Sequence, residues 1–390
     1  MILSGITLSN FRNHTASAAE FGPGINALFG DNGQGKTNVL EAVSYLSLTK
    51  SFYAASDADV LQIGKDAFEV QGSMVSDGGV PHRVRAAYTR MPAVKTFAID
   101  GAAPLTMASV IGRFPVVILS PENSAITFGG PSERRKFIDM TLSQISSVYL
   151  DDLLEYRRVL KQRNRILSDA RLHGHLKGGP AGGTPVGTVP VAGLIEPWTE
   201  GLIRYGSRIA HRRRIFLEEF RAYLRAAYHD LVPSAEEPEA VYRCSFDSGD
   251  AADPGAMGER MRADLDARKS EELKRGLTLA GPHRDDLTLT INGIGVQQFA
   301  SQGQHKTLLV ALKVAEYMYV RERRQETPLF LLDDVFSELD DRRAHKILGL
   351  AMGLGQSMIT TTDQSVFDGS VGWGENNRRF TVEGGTCRLV

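Results

Sequence analysis

The order of apolar and polar positions divides the chain into two ends of mixed α/β character and a helical middle. Runs that are apolar, or that alternate apolar with polar residues, predict N-terminal strands at 2–8, 25–29, 67–75, 83–90, 95–99 and 114–119. Residues 38–46 instead carry apolar side chains three and four positions apart. This spacing predicts a helix shortly after the second strand.

The middle of the chain follows helical spacing from Pro131 onward. Helices are predicted at about 132–142, 147–172, 196–230 and 259–276, and the stretch 232–258 is rich in turn residues. Residues 174–193 stand apart, because ten of these twenty residues are Gly or Pro. We expect them to form a flexible surface loop between two helices.

Strand signals return from residue 277. Three apolar residues, Leu287, Leu289 and Ile291, alternate with polar ones before an Asn-Gly hairpin turn. A helix is predicted over 302–326 and a buried strand over 329–332. The parallel strands of one nucleotide-binding sheet must lie together, so we expect a single α/β head. The predicted head comprises residues 1–130 and 277–390, with 131–276 inserted as a helical lobe.

The segment between the strand at 25–29 and the following helix fits the phosphate-loop pattern G-x-x-x-x-G-K-[ST]. Its residues are Gly30, Asp31, Asn32, Gly33, Gln34, Gly35, Lys36 and Thr37. In such a loop, backbone amides face phosphate oxygens, the lysine reaches the β- and γ-phosphates, and the threonine hydroxyl ligates Mg²⁺. Because the flanking strand and helix make a chance glycine-rich turn the weaker alternative, the sequence predicts a site for ATP with Mg²⁺.

Two further segments carry chemistry that suits a nucleotide switch. Asp333 and Asp334 end the strand predicted at 329–332, where the first is expected to hold Mg²⁺ and the second to orient the attacking water. The alternative is a strand followed by an acidic loop. The second segment is Ser301, Gln302, Gly303 and Gln304, at the start of a helix. It forms either an ordinary helix N-cap or an anion site that closes over Lys36 of a second copy in a head-to-tail dimer.

Two short segments near the C-terminus complete the predicted site. Ser337, Glu338, Leu339 and Asp340 closely follow the paired aspartates, a natural place for contacts across such a dimer. The run Thr360, Thr361, Thr362 and Asp363 follows the apolar pair Met358-Ile359 and is expected at the next strand end, near the γ-phosphate, with Thr362 as the candidate nucleotide contact. A polar turn is the alternative for Thr362.

Composition narrows the class of protein. The 390 residues carry a net charge of −1, so any contact with nucleic acid must come from a local basic surface. The two cysteines have neither metal-ligand spacing nor a disulfide framework, which is typical of a reducing cytosol. Residues 1–11 lack the pattern of a signal peptide, and no apolar run approaches the ~18 residues of a membrane helix. We therefore expect a cytoplasmic protein without a membrane span.

Two predicted helices carry basic residues at helical spacing. One stripe is Arg158, Lys161 and Arg165, and the other is Arg204, Arg208 and Arg212. Such stripes can follow DNA phosphates without reading bases. Each is otherwise a solvated helix face, and both interpretations stay open.

Taken in order, the phosphate loop, serine–glycine helix start and paired aspartates resemble the ABC-type ATPases. Within these, the chain resembles the RecF family of bacterial recombination-repair proteins. The resemblance spans almost the whole chain and includes segments 8–13, 120–122, 134–139, 281–287 and 332–340. It implies an ATPase head like that of SMC proteins, with a helical lobe in place of a long coiled coil.

The resemblance also implies a biological role. It implies ATP-driven homodimerisation, binding of gapped or junction DNA by the dimer, and weak, DNA-modulated ATP hydrolysis. The implied partners are RecR, RecO and, indirectly, RecA, in recombinational repair, replication restart and the SOS response. Arg12 becomes a candidate nucleotide contact. The charged residues at 283–286 could support either the helix that begins at Ser301–Gln304 or the nucleotide site, and both roles stay open.

One departure and one alternative complete the sequence interpretation. Position 334 is Asp where many ABC-type ATPases have Glu, and the shorter side chain favours a slow switch. The alternative function is the nucleotide-binding subunit of an ABC transporter. In such a subunit, the segment that corresponds to Ser301–Gln304 usually lies much closer to the phosphate loop. Its second residue also differs from Gln302.

Overall fold

The computed structural model of the chain describes residues 1–176, 191–232, 235–249, 251, 253–338 and 341–390. Within them the strands are β1 (Ile2–Phe11), β2 (His14–Glu20), β3 (Ile25–Phe29), β4 (Ala67–Val75), β5 (Pro81–Thr89), β6 (Val94–Ile99), β7 (Val116–Leu119), β8 (Pro238–Arg243), β9 (Asp286–Ile291), β10 (Ile294–Gly295), β11 (Leu329–Asp333), β12 (Ser357–Thr361), β13 (Arg378–Glu383) and β14 (Thr386–Leu389). The α-helices are α1 (Lys36–Leu48), α2 (Ala125–Phe128), α3 (Pro131–Ile145), α4 (Ser147–Leu176), α5 (Val191–Leu231), α6 (Pro254–Arg275), α7 (Val296–Phe299), α8 (Gln302–Arg324) and α9 (Asp341–Leu354).

A six-stranded sheet joins the two ends of the chain, in the order β14-β13-β3-β12-β11-β7. Its strands run parallel except for the β13–β14 hairpin. Strands β3, β11 and β12 are buried along their whole length, which explains why they appear in the sequence as nearly continuous apolar runs. Strands β3, β12 and β11 are parallel neighbours, so their carboxyl ends lie at the same edge of the sheet. This places the phosphate loop, which follows β3, close to Asp333, which ends β11.

A five-stranded antiparallel sheet, in the order β2-β1-β4-β5-β6, covers the helix that follows the phosphate loop. Its strands β4 and β5 alternate buried with exposed residues, as expected for a sheet with one face on a core. Helix α1 is buried against both sheets through Leu40, Tyr45 and Leu46. This enclosure fixes the direction in which α1 leaves the phosphate loop.

The remaining elements surround the helical middle. Helices α4 and α5 pack against each other, and a small antiparallel sheet has the order β10-β9-β8. Strand β8 lies where the sequence predicts turns, and it pairs with β9, so the predicted head–lobe boundary at 276 would cut through one sheet. The division into 1–130, 277–390 and 131–276 stays a prediction.

The sequence predicts a loop over 174–193, and the structure corrects both ends of this stretch. Helix α4 continues to Leu176 and helix α5 begins at Val191, so both ends of that stretch are helical. The rest of it, 177–190, lies outside the described residues. In the part of the chain that the structure describes, every helix is too short or too polar to span a bilayer.

Candidate nucleotide site

The loop between β3 and α1 adopts a conformation that needs glycine. Gly30 has φ 152° and Gly35 has φ 109°, both in the region that favours residues without a side chain. A Cβ on Gly30 would lie 2.3 Å from the Val382 carbonyl oxygen, and one on Gly35 would lie 2.5 Å from the Asn13 amide oxygen. The loop leads directly into the N-terminus of α1, where unpaired amides and the helix dipole favour an anion.

Lys36 is held inside this loop. Its ammonium donates to the Gly30 carbonyl at 2.6 Å and to the Asp31 carbonyl at 3.0 Å. Burial lowers the pKa of Lys36, while the nearby carboxylates of Asp334, Asp333 and Asp31 act in the opposite direction. The chain therefore holds a partly desolvated positive charge where the sequence predicts phosphate binding.

Thr37 and Asp333 meet across the sheet edge. The Thr37 hydroxyl donates to Asp333 Oδ1 at 2.8 Å, and the Thr360 hydroxyl donates to the same oxygen at 2.7 Å. Burial is the largest influence on Asp333 and raises its pKa; the two hydroxyl donors oppose this shift, and Glu122 and Asp334 reinforce it. The sequence placed Thr360 in the threonine run expected near the γ-phosphate, but it did not predict this contact with Asp333.

Asp334 has an incomplete set of partners. Its backbone lies at φ 48°, held by hydrogen bonds from its N–H to the Thr360 carbonyl and hydroxyl. Its side-chain Oδ1 is buried and has no hydrogen-bond partner among the described residues. A buried carboxylate oxygen without a donor is costly for the fold and suits a ligand or water that supplies one.

These groups fit a magnesium nucleotide. A hydroxyl and a carboxylate are the hard oxygen ligands that Mg²⁺ prefers, and Thr37 and Asp333 supply one of each. The described residues contain no group of three His, Cys, Asp or Glu side chains able to hold a metal by themselves. Mg²⁺ usually binds proteins through one or two carboxylates together with substrate phosphates.

Residues that sequence reasoning left unassigned form a wall of the loop. The Asn13 amide donates to the Gln34 carbonyl at 2.9 Å and accepts from the Asn38 amide at 2.8 Å. His14 Nε2 lies 3.1 Å from the Gly35 carbonyl oxygen, and burial lowers the pKa of His14. The β13–β14 turn also reaches the loop, because Gly384 N–H donates to the Gln34 side chain. Contacts between such distant parts of the chain leave no local pattern.

Arg12 lies beside this wall but is engaged elsewhere. Its guanidinium forms a bidentate ion pair with the buried carboxylate of Glu41, with both N–O distances 2.8 Å. A third donor binds the Asp59 carbonyl at 2.8 Å. Its role as a nucleotide contact stays a prediction.

The serine–glycine segment caps α8. The Ser301 hydroxyl accepts from Gln304 N–H at 3.2 Å, and the Gln304 side chain accepts from Ser301 N–H at 2.9 Å. Gln302 is exposed, and a Cβ on Gly303 would lie 3.1 Å from Arg343 Nη2. Among the described residues, no hydrogen bond joins Ser301 to the phosphate loop of the same chain. The arrangement is therefore an N-cap, and a role toward a second copy stays a prediction.

The two C-terminal segments are placed as follows. Ser337 lies in a short 3-10 helix, Phe336–Glu338, and its hydroxyl donates to the Asp334 carbonyl at 3.0 Å. Leu339 and Asp340 lie outside the described residues. Thr362 is exposed just beyond β12, two residues after the threonine that contacts Asp333. The predicted contact of Thr362 with nucleotide is untested.

Two members of the charged segment 281–287, the Pro282 carbonyl and Asp285, lie in a separate buried cluster. Arg213 of α5 donates to Asp139 Oδ1 at 2.7 Å and to the Pro282 carbonyl at 2.8 Å, and it lies 3.9 Å from Asp285 Oδ2. The hydroxyl of Tyr149 donates to Asp139 at 2.5 Å, and that of Tyr242 donates to Asp285. We call these five side chains the Arg213 cluster. It connects α3, α4, α5 and the β8–β9 sheet.

The basic stripes lie on the α4–α5 pair. Arg158 forms an ion pair with Glu155 at 2.7 Å within α4. Arg208 pairs with Asp152 at 3.3 Å, and Arg212 donates to the Ser146 hydroxyl at 2.9 Å. The other three stripe residues are exposed: Lys161, Arg165 and Arg204.

Comparison with known proteins decides the family. A family model described as RecF/RecN/SMC N terminal domain matches residues 2–381. The DNA replication and repair protein RecF of Salinibacter ruber is 40% identical over 370 residues, covering 94% of this chain and 86% of the relative. RecF of Chloroherpeton thalassium is 39% identical, covering 94% of this chain and 96% of the relative. The chain belongs to the RecF family.

Solved structures agree with this assignment. The recombination mediator protein RecF-ATPrS in the RecFOR pathway superposes with a TM-score of 0.87 at 31% identity, covering 100% of this chain and 98% of the other. An SMC head bound to the C-winged helix domain of ScpA matches with a TM-score of 0.53 at 12% identity, covering 100% of this chain and 97% of the other, which shows the fold alone. The predicted ABC/SMC-type head is confirmed. The function of this RecF-family chain is in DNA replication and repair, and the transporter alternative is not favoured.

Proposed function

We propose that this chain is an ATP-dependent DNA-binding switch, in which ATP with Mg²⁺ binds the phosphate loop and drives the formation of a homodimer that holds gapped or junction DNA. Solved RecF structures named with ATP and ATPrS support nucleotide binding by this chain. The RecFOR pathway named for those structures supports RecR and RecO as partners. RecA is proposed as an indirect partner.

The observation that carries this proposal is the Thr37–Asp333 hydrogen bond beside the Asp334 oxygen that has no hydrogen-bond partner among the residues the structure describes. Thr37 and Asp333 would hold Mg²⁺, which when bound would neutralise charge on the phosphate oxygens. Lys36 is positioned to contact the phosphates, and the free carboxylate oxygen of Asp334 can accept a hydrogen bond from the attacking water. An aspartate reaches less far than a glutamate, so we expect a slow switch.

Dimer formation would use the exposed N-cap of α8. Ser301 and Gln302 lie at the start of a 23-residue helix, whose N-terminal dipole suits the γ-phosphate held by a second copy. A dimer of this type requires ATP for its interface, so the nucleotide acts as the switch. The weak hydrolysis that follows would release the DNA.

Static light scattering with and without ATP and Mg²⁺ tests this proposal. Wild type should change from monomer to dimer, Lys36→Met and Ser301→Arg should remain monomeric, and Asp334→Asn should accumulate as dimer because hydrolysis is blocked. Ser73→Arg is the matched control, since it adds the same side chain on the exposed face of β4 and should dimerise normally. When the same samples are run on a size-exclusion column, gapped DNA should co-elute only with the dimer. A wild-type protein that binds ATP but stays monomeric would overturn the role of Ser301.

A further inference from the structure

Helices α4 and α5 run antiparallel in a register that the contacts define. Arg212 contacts Ser146, Arg208 contacts Asp152, and Gly201 packs against Val159, so residue numbers rise on one helix as they fall on the other. A Cβ on Gly201 would lie 3.2 Å from Val159 Cγ2, which shows how closely the two backbones approach there.

In this register the two basic stripes meet at one point. Arg204, the first residue of the α5 stripe, and Arg158, the first residue of the α4 stripe, line the same surface groove. From the groove, Arg208 and Arg212 continue in one direction, and Lys161 and Arg165 continue in the other. At 1.5 Å per helical residue, each arm extends for roughly 10 Å. We call this arrangement the basic line.

The groove at the centre of the basic line is aromatic. It has a volume of about 450 Å³, and besides the two arginines it is lined by Val159, Pro197, Trp198, Glu200, Gly201 and Tyr205. Trp198 and Tyr205 are half-buried and pack against the core on one side. Glu200 pairs with Arg262, so the acidic side chain of the groove is neutralised. Because Gly201 has no side chain, a depression remains between the rings of Trp198 and Tyr205.

We propose that this groove holds an unstacked base of single-stranded DNA against Trp198 and Tyr205, while the basic line binds phosphates on both sides. This inference rests on the proposed DNA-binding function and names the site that would recognise the single-stranded part of a gap. Bases in a duplex are stacked and cannot enter a groove between two helices, whereas single strands present their faces to aromatic rings. Cations that continue beyond the groove in both directions complement a polyanion.

Tryptophan fluorescence reports on the groove directly. The chain has two tryptophans, and the second, Trp373, packs against Phe29 and Phe367 in another part of the molecule. In a Trp373→Phe variant, emission comes from Trp198 alone. Adding oligo(dT) with ATP and Mg²⁺ should quench it, and a duplex of equal length at equal occupancy should not.

Binding affinities separate stacking from charge. Trp198→Ala should weaken oligo(dT) binding about tenfold, within the range of one base–aromatic stack, and leave the salt dependence unchanged. Trp198→Phe should restore most of the affinity. Arg204→Ala should instead lower the slope of log K against log salt by ~0.7, the value for one lost phosphate contact on a single strand.

A matched pair of arginines controls for nonspecific charge effects. Arg158 and Arg275 are 59% and 61% exposed, and each pairs with a glutamate of its own helix. Arg158→Ala should weaken binding of gapped DNA, and Arg275→Ala should not.

Three outcomes would overturn the inference. If oligo(dT) binds by anisotropy without quenching Trp198, no base occupies the groove. If an acidic aromatic peptide quenches Trp198 and displaces no DNA, the groove is a protein-docking site. If the wild type binds ATP but no DNA at all, the proposed DNA function fails, and the inference fails with it.

Discussion

Two clusters of buried charge lie in this molecule, and they differ in how completely their atoms are paired. In the Arg213 cluster, no buried side-chain N or O lacks a hydrogen-bond partner within the described residues. At the edge of the six-stranded sheet, Asp334 keeps a buried oxygen that has no partner in the described part of the chain, and the Lys36 ammonium donates to two loop carbonyls. Both clusters contain buried carboxylates, Asp139 and Asp285 in one and Asp333 in the other, so residue type alone does not separate them.

The difference separates structure from function. A charge cluster that satisfies all of its own atoms stabilises one arrangement of helices and has no capacity left for a ligand. A cluster that leaves atoms unsatisfied lowers stability until a ligand supplies the missing partners. We therefore expect equivalent substitutions in the two clusters to have opposite effects on the free energy of unfolding.

Arg213→Met tests the complete cluster and should have the largest effect. The substitution replaces the aliphatic stem but removes the guanidinium, so Asp139 and Asp285 stay buried with fewer partners, which typically costs about 3–5 kcal/mol. Urea denaturation measures the change, and ATP binding by the folded fraction should be unaffected. Arg225→Met is the control, because its ion pairs with Glu237 and Glu239 are exposed and should contribute less than about 1 kcal/mol. Equal losses would mean that the cluster is not structural.

His283, which follows the Arg213 partner Pro282 in the chain, should make the stability of the protein depend on pH. Its Nδ1 lies 2.7 Å from the Tyr156 hydroxyl oxygen, and its Nε2 lies 3.2 Å from the Thr278 carbonyl oxygen. Burial, followed by the charges of Arg284, Arg135 and Arg163, lowers its pKa to about 4, while the Thr278 carbonyl opposes the shift. The histidine is therefore neutral in the folded protein at neutral pH.

The sign of the pH effect follows from this shift. Below pH ~6.5 the unfolded chain binds a proton at His283, whereas the folded chain does not bind it until about pH 4. The free energy of unfolding therefore decreases as the pH is lowered from ~6.5 to about 4. The loss from this residue between pH 6.5 and 5 should be about 2 kcal/mol. Comparing urea midpoints at pH 7 and pH 5 should show a smaller pH-dependent loss in His283→Gln than in wild type. Identical losses would contradict a buried neutral histidine.

The sequence predicted the incomplete cluster better than the complete one. The phosphate loop has a local signature, and Asp333 ends an apolar strand, so strand β3, helix α1 and strand β11 could all be found from short windows. The Arg213 cluster has no such signature. Arg213 lies next to the basic stripe residue Arg212 in the chain, and its burial depends on partners more than sixty residues away.

The missed strands show the same limit. Strand β2 has mostly small and polar residues, so it lacks apolar alternation, and its place is fixed by pairing with β1. Strand β8 is defined by β9, which lies more than forty residues later. Strand β13 is placed by pairing with β3 from the opposite end of the chain. Local periodicity predicts that an element exists, whereas long-range pairing decides where it lies and which charges become buried.

Asp333→Asn should have the smallest effect on stability and the most informative sign. Burial raises the pKa of Asp333, so its charge lowers stability at neutral pH, and this penalty is absent below the pKa of the unfolded chain. The amide oxygen can still accept from Thr37 and Thr360, so without nucleotide the variant should gain about 1 kcal/mol, as is typical when a functional site is relaxed. With ATP and Mg²⁺ the wild type should become the more stable protein, because only it gains binding energy. Asp139→Asn, the same change in the complete cluster, should lose stability with or without nucleotide, and a gain there would remove the distinction between the two clusters.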